Sequence, residues 1–251
     1  MKKVAAWTVM AVLLVVPTQP VGAIIGGSTD DTQHGYVAGI QAPDRQGVVF
    51  TGIAISPTVV LTAAHAVVRL EIATGSDQAI ATFDPVAESS ATWYTGTIHI
   101  DPAFNPNVPA VGDYAVIVFD SPLPVASATL PALNSLDAHT LKTTPLELLG
   151  YGVTALIPGT PRPDFSSGGT RKVDIATFQA LKPQTMKLQM PDGDQVCVGD
   201  SGGPSLLGSS NALVGITLGA LGGCISSGTV TQMRLDTAEV RAFLRQYVTL
   251  P

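Results

Sequence analysis

Charge is scarce in this sequence. Only 13% of its 251 residues are charged, and no basic run appears, so nothing marks a nucleic-acid partner. No stretch beyond the N-terminus is long and apolar enough to span a membrane. The Gly-rich stretches lack the Lys-Ser or Lys-Thr that completes a nucleotide loop, and no metal-ligand cluster or acidic calcium loop is present. No cofactor and no metal are therefore expected. Internal repeats are also missing. Only two cysteines, Cys197 and Cys224, and four histidines, His34, His65, His99 and His139, occur in the chain. The few histidines leave little choice for a general base.

What is abundant is apolar and turn-forming. Hydrophobic residues make up 45%, with 25 glycines and 19 prolines, and the net charge is −6. That balance fits a folded, loop-rich, mostly β protein. Met1 to Ala23 reads as a secretory signal: Lys2 and Lys3, an apolar run from Val4 to Val16, then small residues at Val21-Gly22-Ala23. The chain after it should be soluble and exported. In an oxidising compartment one disulfide is the leading reading of two cysteines, and two buried thiols are the alternative.

Strand-length runs rich in Val, Ile and Thr follow one another. They are Val48–Ile55, Val59–Ala63, Trp93–Ile100, Tyr114–Phe119, Leu146–Leu149, Lys172–Phe178, Met186–Gln189, Ala212–Leu218 and Thr229–Met233. They predict an all-β sandwich or barrel, with no crossover helix between them. Asp101–Pro109 and Pro158–Gly169 read as loops. Asp236–Leu250 is the one predicted helix, with Val240, Leu244 and Tyr247 on a single stripe.

Chemistry concentrates in Val198-Gly199-Asp200-Ser201-Gly202-Gly203-Pro204. A serine hydroxyl needs a base to take its proton. Glycines permit a tight turn in which the Gly199 and Ser201 N–H groups point at a developing oxyanion. His65, after the apolar run Val59–Ala63, is the candidate base. Asp113, at the mouth of the run Tyr114–Phe119, is the candidate acid, since a carboxylate there needs a partner to be buried. His34 and His139 read as surface residues, and His99 as the exposed face of a strand.

Five segments resemble the trypsin/chymotrypsin-like serine proteases. They are Ile24-Ile25-Gly26-Gly27, Leu61-Thr62-Ala63-Ala64-His65, Gly112-Asp113-Tyr114-Ala115-Val116, Gly150-Tyr151-Gly152 and Gly199-Asp200-Ser201-Gly202-Gly203-Pro204. The order His, Asp, Ser is that family's. The resemblance implies two antiparallel β-barrels packed side by side with a C-terminal α-helix. Barrel one would cover about 24–131, barrel two about 132–235 and the helix 236–250. It implies a secreted serine endopeptidase with His65, Asp113 and Ser201 as catalytic triad and Gly199 and Ser201 as oxyanion hole. It also implies an ion pair between the Ile24 α-ammonium and Asp200, and a Cys197–Cys224 disulfide bracing a pocket with Gln195 at its base and Gly219 and Gly228 on its walls. Gln195 carries no charge, so no strong selection for Lys or Arg is expected. Protein or peptide substrates and protein inhibitors are the implied partners. A non-catalytic binding protein of the same fold is the alternative. An α/β-hydrolase esterase would want Ser before Asp and His, which the chain does not have. Ala23 precedes Ile24 where zymogens of the family carry Arg or Lys, so signal removal itself would expose Ile24.

Overall fold

The computed structural model describes residues 24–251 except 31, 109, 161, 220–223 and 225–227. The predicted signal, residues 1–23, lies outside the described residues, as do Pro109 and Pro161 in the two predicted loops. The elements in chain order are β1 (Ser28–Thr29), β2 (Val37–Gln41), β3 (Phe50–Ser56), β4 (Val59–Thr62), α1 (Ala64–Thr74), β5 (Gln78–Thr82), β6 (Tyr94–Ile100), β7 (Ala115–Val118), α2 (Ala138–Thr143), β8 (Leu146–Gly150), β9 (Lys172–Leu181), β10 (Thr185–Gln189), β11 (Pro204–Leu207), β12 (Leu213–Gly219), β13 (Thr229–Arg234) and α3 (Ala238–Leu244).

Antiparallel pairing closes these strands into two six-stranded barrels. The first runs β2-β3-β4-β7-β6-β5 and back to β2. The second runs β8-β9-β10-β13-β12-β11 and back to β8, and β1 joins the edge of β9. Neither barrel leaves its strands with an open edge on both sides, the arrangement that otherwise invites aggregation.

Strands β2, β3, β4 and β7 lack polar alternation because both of their faces are buried, whereas β6, β9, β10 and β13 keep partly exposed positions. On β4, Val60 faces the core of the first barrel, while Leu61 joins a cluster shared between barrels; Ile117 and Val116 on β7 divide the same way. The shared cluster gathers Val37, Ile53 and Leu61 from the first barrel with Leu149, Tyr151, Leu206 and Ile216 from the second. Val240, Phe243 and Leu244 of α3 pack into it. Burying each such side chain contributes about 1.5–3 kcal/mol.

The helical expectation needs correction at three places. Residues 138–143 form α2, capped by Asp137, where no helix was expected. Residues 64–74 form α1, where only strands and loops were expected. Its N-cap is Ala63, which offers no side-chain acceptor, so no local start signal exists. The terminal helix is shorter than predicted. Thr237 caps it by accepting the Val240 N–H, and after Leu244 bonds from Gln246 to Phe243 and from Tyr247 to Leu244 tighten the chain into turns.

His34 is also not a surface residue. It is 2% exposed and sits between Asp30 and Glu147, with its ring nitrogens 2.9 and 3.0 Å from their carboxylates. Arg171, fully buried, donates to Asp30 at 2.7 Å, to the Phe83 carbonyl at 2.9 Å and to the Tyr151 hydroxyl at 3.0 Å. This charged network ties the N-terminal segment and both barrels together.

Candidate active site

Three side chains meet in the cleft between the barrels. His65 stands on the first turn of α1, Asp113 on the approach to β7, and Ser201 on the loop before β11. The Ser201 hydroxyl lies 2.8 Å from His65 Nε2, and Asp113 lies 2.9 and 3.0 Å from His65 Nδ1. His65 keeps 27% of its side chain exposed, so the imidazole faces the cleft while Asp113 is screened behind it. Asp113 also accepts the backbone N–H of His65 at 2.9 Å. His65 is the second residue of α1, the position whose N–H an N-cap side chain ordinarily satisfies. One carboxylate thus caps the helix from 48 positions away and fixes the ring that the helix carries.

The loop around Ser201 is held from several directions. Gly199 has φ +100°, and a Cβ there would come within 2.5 Å of the Val49 carbonyl oxygen, so only glycine fits. The Val198 carbonyl accepts from Val153 N–H at 2.9 Å, and the Asp200 carbonyl from Gly203 N–H at 3.0 Å. The N–H groups that share those two peptide planes belong to Gly199 and Ser201. Neither is bonded to any partner among the described residues. They are two free donors flanking the hydroxyl.

Asp200 points away from the cleft and is fully buried. It accepts N–H groups from Gly152 at 3.0 Å, Cys197 at 2.8 Å and the buried Ile24. Burial pushes its carboxyl up to about 7, against the lowering effect of those three N–H donors. A Cβ on Gly150 or Gly152 would lie 2.0 or 2.7 Å from Asp200 atoms, which explains the two glycines around Tyr151.

The remaining predicted positions are spread around this centre. Cys197 and Cys224 form a disulfide. Gln195 is 9% exposed and exchanges two 3.0 Å backbone hydrogen bonds with Ile25, and its side-chain oxygen is buried without a partner. Gly219 faces Ser201, with a Cβ there lying 3.6 Å from the hydroxyl. Gly228 instead faces Gln189, at the end of β10. A groove of about 300 Å³ adjoins this centre, lined by His65 and Asp113 themselves and by Val68, Arg69, Phe104 and Pro106.

One residue in contact with the Ser201 loop carries no sequence signal. Thr51 of β3 donates its hydroxyl to the Gly199 carbonyl at 2.8 Å, and its N–H bonds the Ser201 carbonyl at 3.2 Å. A threonine inside an apolar strand run is unremarkable by pattern, and only the barrel contact singles it out.

A family model described as Trypsin matches residues 24–234. No curated protein matches the chain. Among solved structures, HL collagenase is similar at 20% identity and a TM-score of 0.66, over 89% of this chain and 98% of its own. The scabies mite inactivated protease paralogue S-D1 is similar at 16% identity and a TM-score of 0.69, over 91% of this chain and 100% of its own. The scabies mite inactivated protease paralogue S-I1 is similar at 16% identity and a TM-score of 0.66, over 88% and 99%.

Proposed function

The chain belongs to the Trypsin family, and from that premise we propose that it is a secreted serine endopeptidase acting through His65, Asp113 and Ser201. The observation that carries this reading is the unbroken line from the Ser201 hydroxyl through the two His65 nitrogens to Asp113, with every step at 2.8–3.0 Å. In the reaction Ser201 Oγ attacks the scissile carbonyl while His65 Nε2 takes its proton. The carbonyl oxygen becomes an oxyanion and is held by the free Gly199 and Ser201 N–H groups. His65 then delivers the proton to the departing amine, leaving an acyl-Ser201. Water, activated by the same imidazole, releases the acid and restores the hydroxyl. Asp113 holds the imidazole in the tautomer that keeps Nε2 free to accept, and balances its charge once protonated.

The site assembles by the same logic. Removal of residues 1–23 turns the Ile24 nitrogen into an ammonium beside the buried Asp200, and the pair holds the Ser201 loop in its working shape. Gln195 and Gly219 form the pocket for the side chain before the cleaved bond, and Gln195 gives it no charge with which to select Lys or Arg. Protein and peptide chains are the substrates, and protein inhibitors compete for the same cleft.

The names of two similar structures describe inactivated proteases, so a binding role for the fold is the competing reading. Retention of all three side chains in hydrogen-bonded order favours catalysis. A fluorophosphonate probe on the secreted protein decides between them. Covalent labelling that vanishes in Ser201→Ala is expected, and equal labelling of both, or of neither, rejects catalysis. N-terminal sequencing of the labelled protein should read Ile-Ile-Gly-Gly, and a start several residues earlier would contradict the maturation step.

A further inference from the structure

We propose that Thr51 is a positioning residue for the oxyanion-binding loop, acting on Gly199 from the opposite barrel. This rests on the catalytic reading above and adds to it a residue outside the triad and outside the nucleophile segment. Thr51 is fully buried. Its hydroxyl uses both of its capacities: it donates to the Gly199 carbonyl at 2.8 Å and accepts the Tyr151 N–H at 2.9 Å. Its N–H reaches the Ser201 carbonyl at 3.2 Å, and its own carbonyl accepts the Thr62 hydroxyl at 2.7 Å. One residue of β3 therefore grips the carbonyls on both sides of Asp200.

The consequence concerns dihedrals. Gly199 sits at φ +100°, a region open to glycine and therefore reversible at little steric cost. Its neighbouring peptide planes decide where its N–H points. The Val198–Gly199 plane is held at its carbonyl by Val153, and the Gly199–Asp200 plane at its carbonyl by Thr51 at 2.8 Å and at the Asp200 N–H by a longer 3.2 Å bond to the Cys197 carbonyl. Releasing the Thr51 hold leaves the Gly199–Asp200 peptide restrained by the longer Cys197 bond alone, so the plane tilts more readily and the geometry between the two oxyanion donors shifts with it. Those donors must be aimed before the charge develops, because aiming them during the reaction costs reorganisation. Thr51 touches no reacting atom. It fixes the loop through a hydrogen bond that crosses the cleft floor, so the barrel that carries His65 also sets the geometry of the loop that carries Ser201.

The conservative series Thr51→Ser, Thr51→Cys and Thr51→Val tests this. Ser keeps the hydroxyl, Cys substitutes a weak donor, and Val keeps the shape while removing it. Active sites are first counted by fluorophosphonate titration, so that loss of folded protein does not enter the rates. On a peptide ester or amide substrate, kcat should fall in the order Ser, Cys, Val. The Val loss should be about 10- to 100-fold, below the roughly 100- to 1,000-fold cost of deleting an oxyanion donor. KM should stay within about twofold, and affinity for a peptide boronate should fall in step with kcat/KM, because that ligand reports oxyanion stabilisation. A purely structural role predicts lower thermal stability with unchanged kcat per titrated site in all three variants, and that result overturns the inference alone. A wild-type protein that takes no label overturns the catalytic reading, and this inference with it.

Discussion

Asp113 carries two loads that a substitution can separate. Its carboxylate orients the His65 ring and also accepts the His65 backbone N–H at the start of α1. Asp113→Asn keeps an oxygen for that N–H but presents an amide to the ring. Turnover should fall by about 10,000-fold, as in the template Ser-His-Asp enzyme, with the melting temperature near wild type. Asp113→Ala removes the cap as well, at a cost of about 1 kcal/mol, which is about 3 °C in a domain of this size. Thermal melts of the two variants check this, and equal melting temperatures would show that the cap contributes nothing. Asp200 gives a residue-scale prediction with a sign in pH. While the Ile24 nitrogen is an amide, burial holds the Asp200 carboxyl up to about 7. Between about pH 4 and pH 7 the folded form then keeps a proton that the unfolded form has lost, so stability falls as pH rises through that window. In a chain that retains residues before Ile24, Asp200→Asn should therefore be nearly neutral at about pH 4 and stabilising at about pH 8. In a chain that begins at Ile24 the ammonium favours the ionised carboxylate, and the same substitution should destabilise at the higher pH. Melts of both forms at both pH values decide it; a substitution effect independent of pH in the longer form would contradict the assignment.

At the scale of elements, the charged network ties together segments distant in sequence. Arg171 at the foot of β9 reaches Asp30 beyond β1, the Phe83 carbonyl after β5 and Tyr151 after β8. Arg171→Met leaves the Asp30 carboxylate buried with only His34 for company, and breaking such a pair costs about 3–5 kcal/mol. Arg171→Lys should recover little of this, since an ammonium lacks the planar fork that serves several acceptors together. Urea titration of the two variants measures it, and a loss below about 1 kcal/mol would place the pair among weak surface bridges. The network also shows where sequence reading stops. Each long strand run was visible because its own residues carry the β signal. β2, β5 and β11 were not, because Ala, Gly, Gln and Pro dilute that signal and their neighbours supply the burial. α1 was hidden because its cap, Asp113, is 48 residues away. His34 looked superficial because its two carboxylate partners come from different segments. The three side chains that meet in the cleft were readable because Ser201, His65 and Asp113 each lie in a distinctive local string. Thr51 was not, since its role exists only through contact between barrels.

The whole molecule has two barrels but not two independent cores. Val37, Ile53 and Leu61 of one barrel pack in the same cluster as Leu149, Leu206 and Ile216 of the other, and Val240, Phe243 and Leu244 of α3 join them. Separating the barrels would expose this cluster and pull Thr51 from the Gly199 carbonyl. Neither barrel should therefore melt alone. Calorimetry of the protein should show one transition, with van't Hoff and calorimetric enthalpies in agreement. Phe243→Ala opens a cavity in the shared cluster at a cost of about 3–5 kcal/mol, and the whole transition should move down by about 10 °C. Both barrels should lose structure together, and the labelling of Ser201 should disappear at the same temperature. If instead the transition splits, with one part unmoved by Phe243→Ala, the barrels are separable units and the shared cluster is only a contact between them. The site would then depend on docking two folded halves rather than on one cooperative fold, and its activity should fade before either half unfolds.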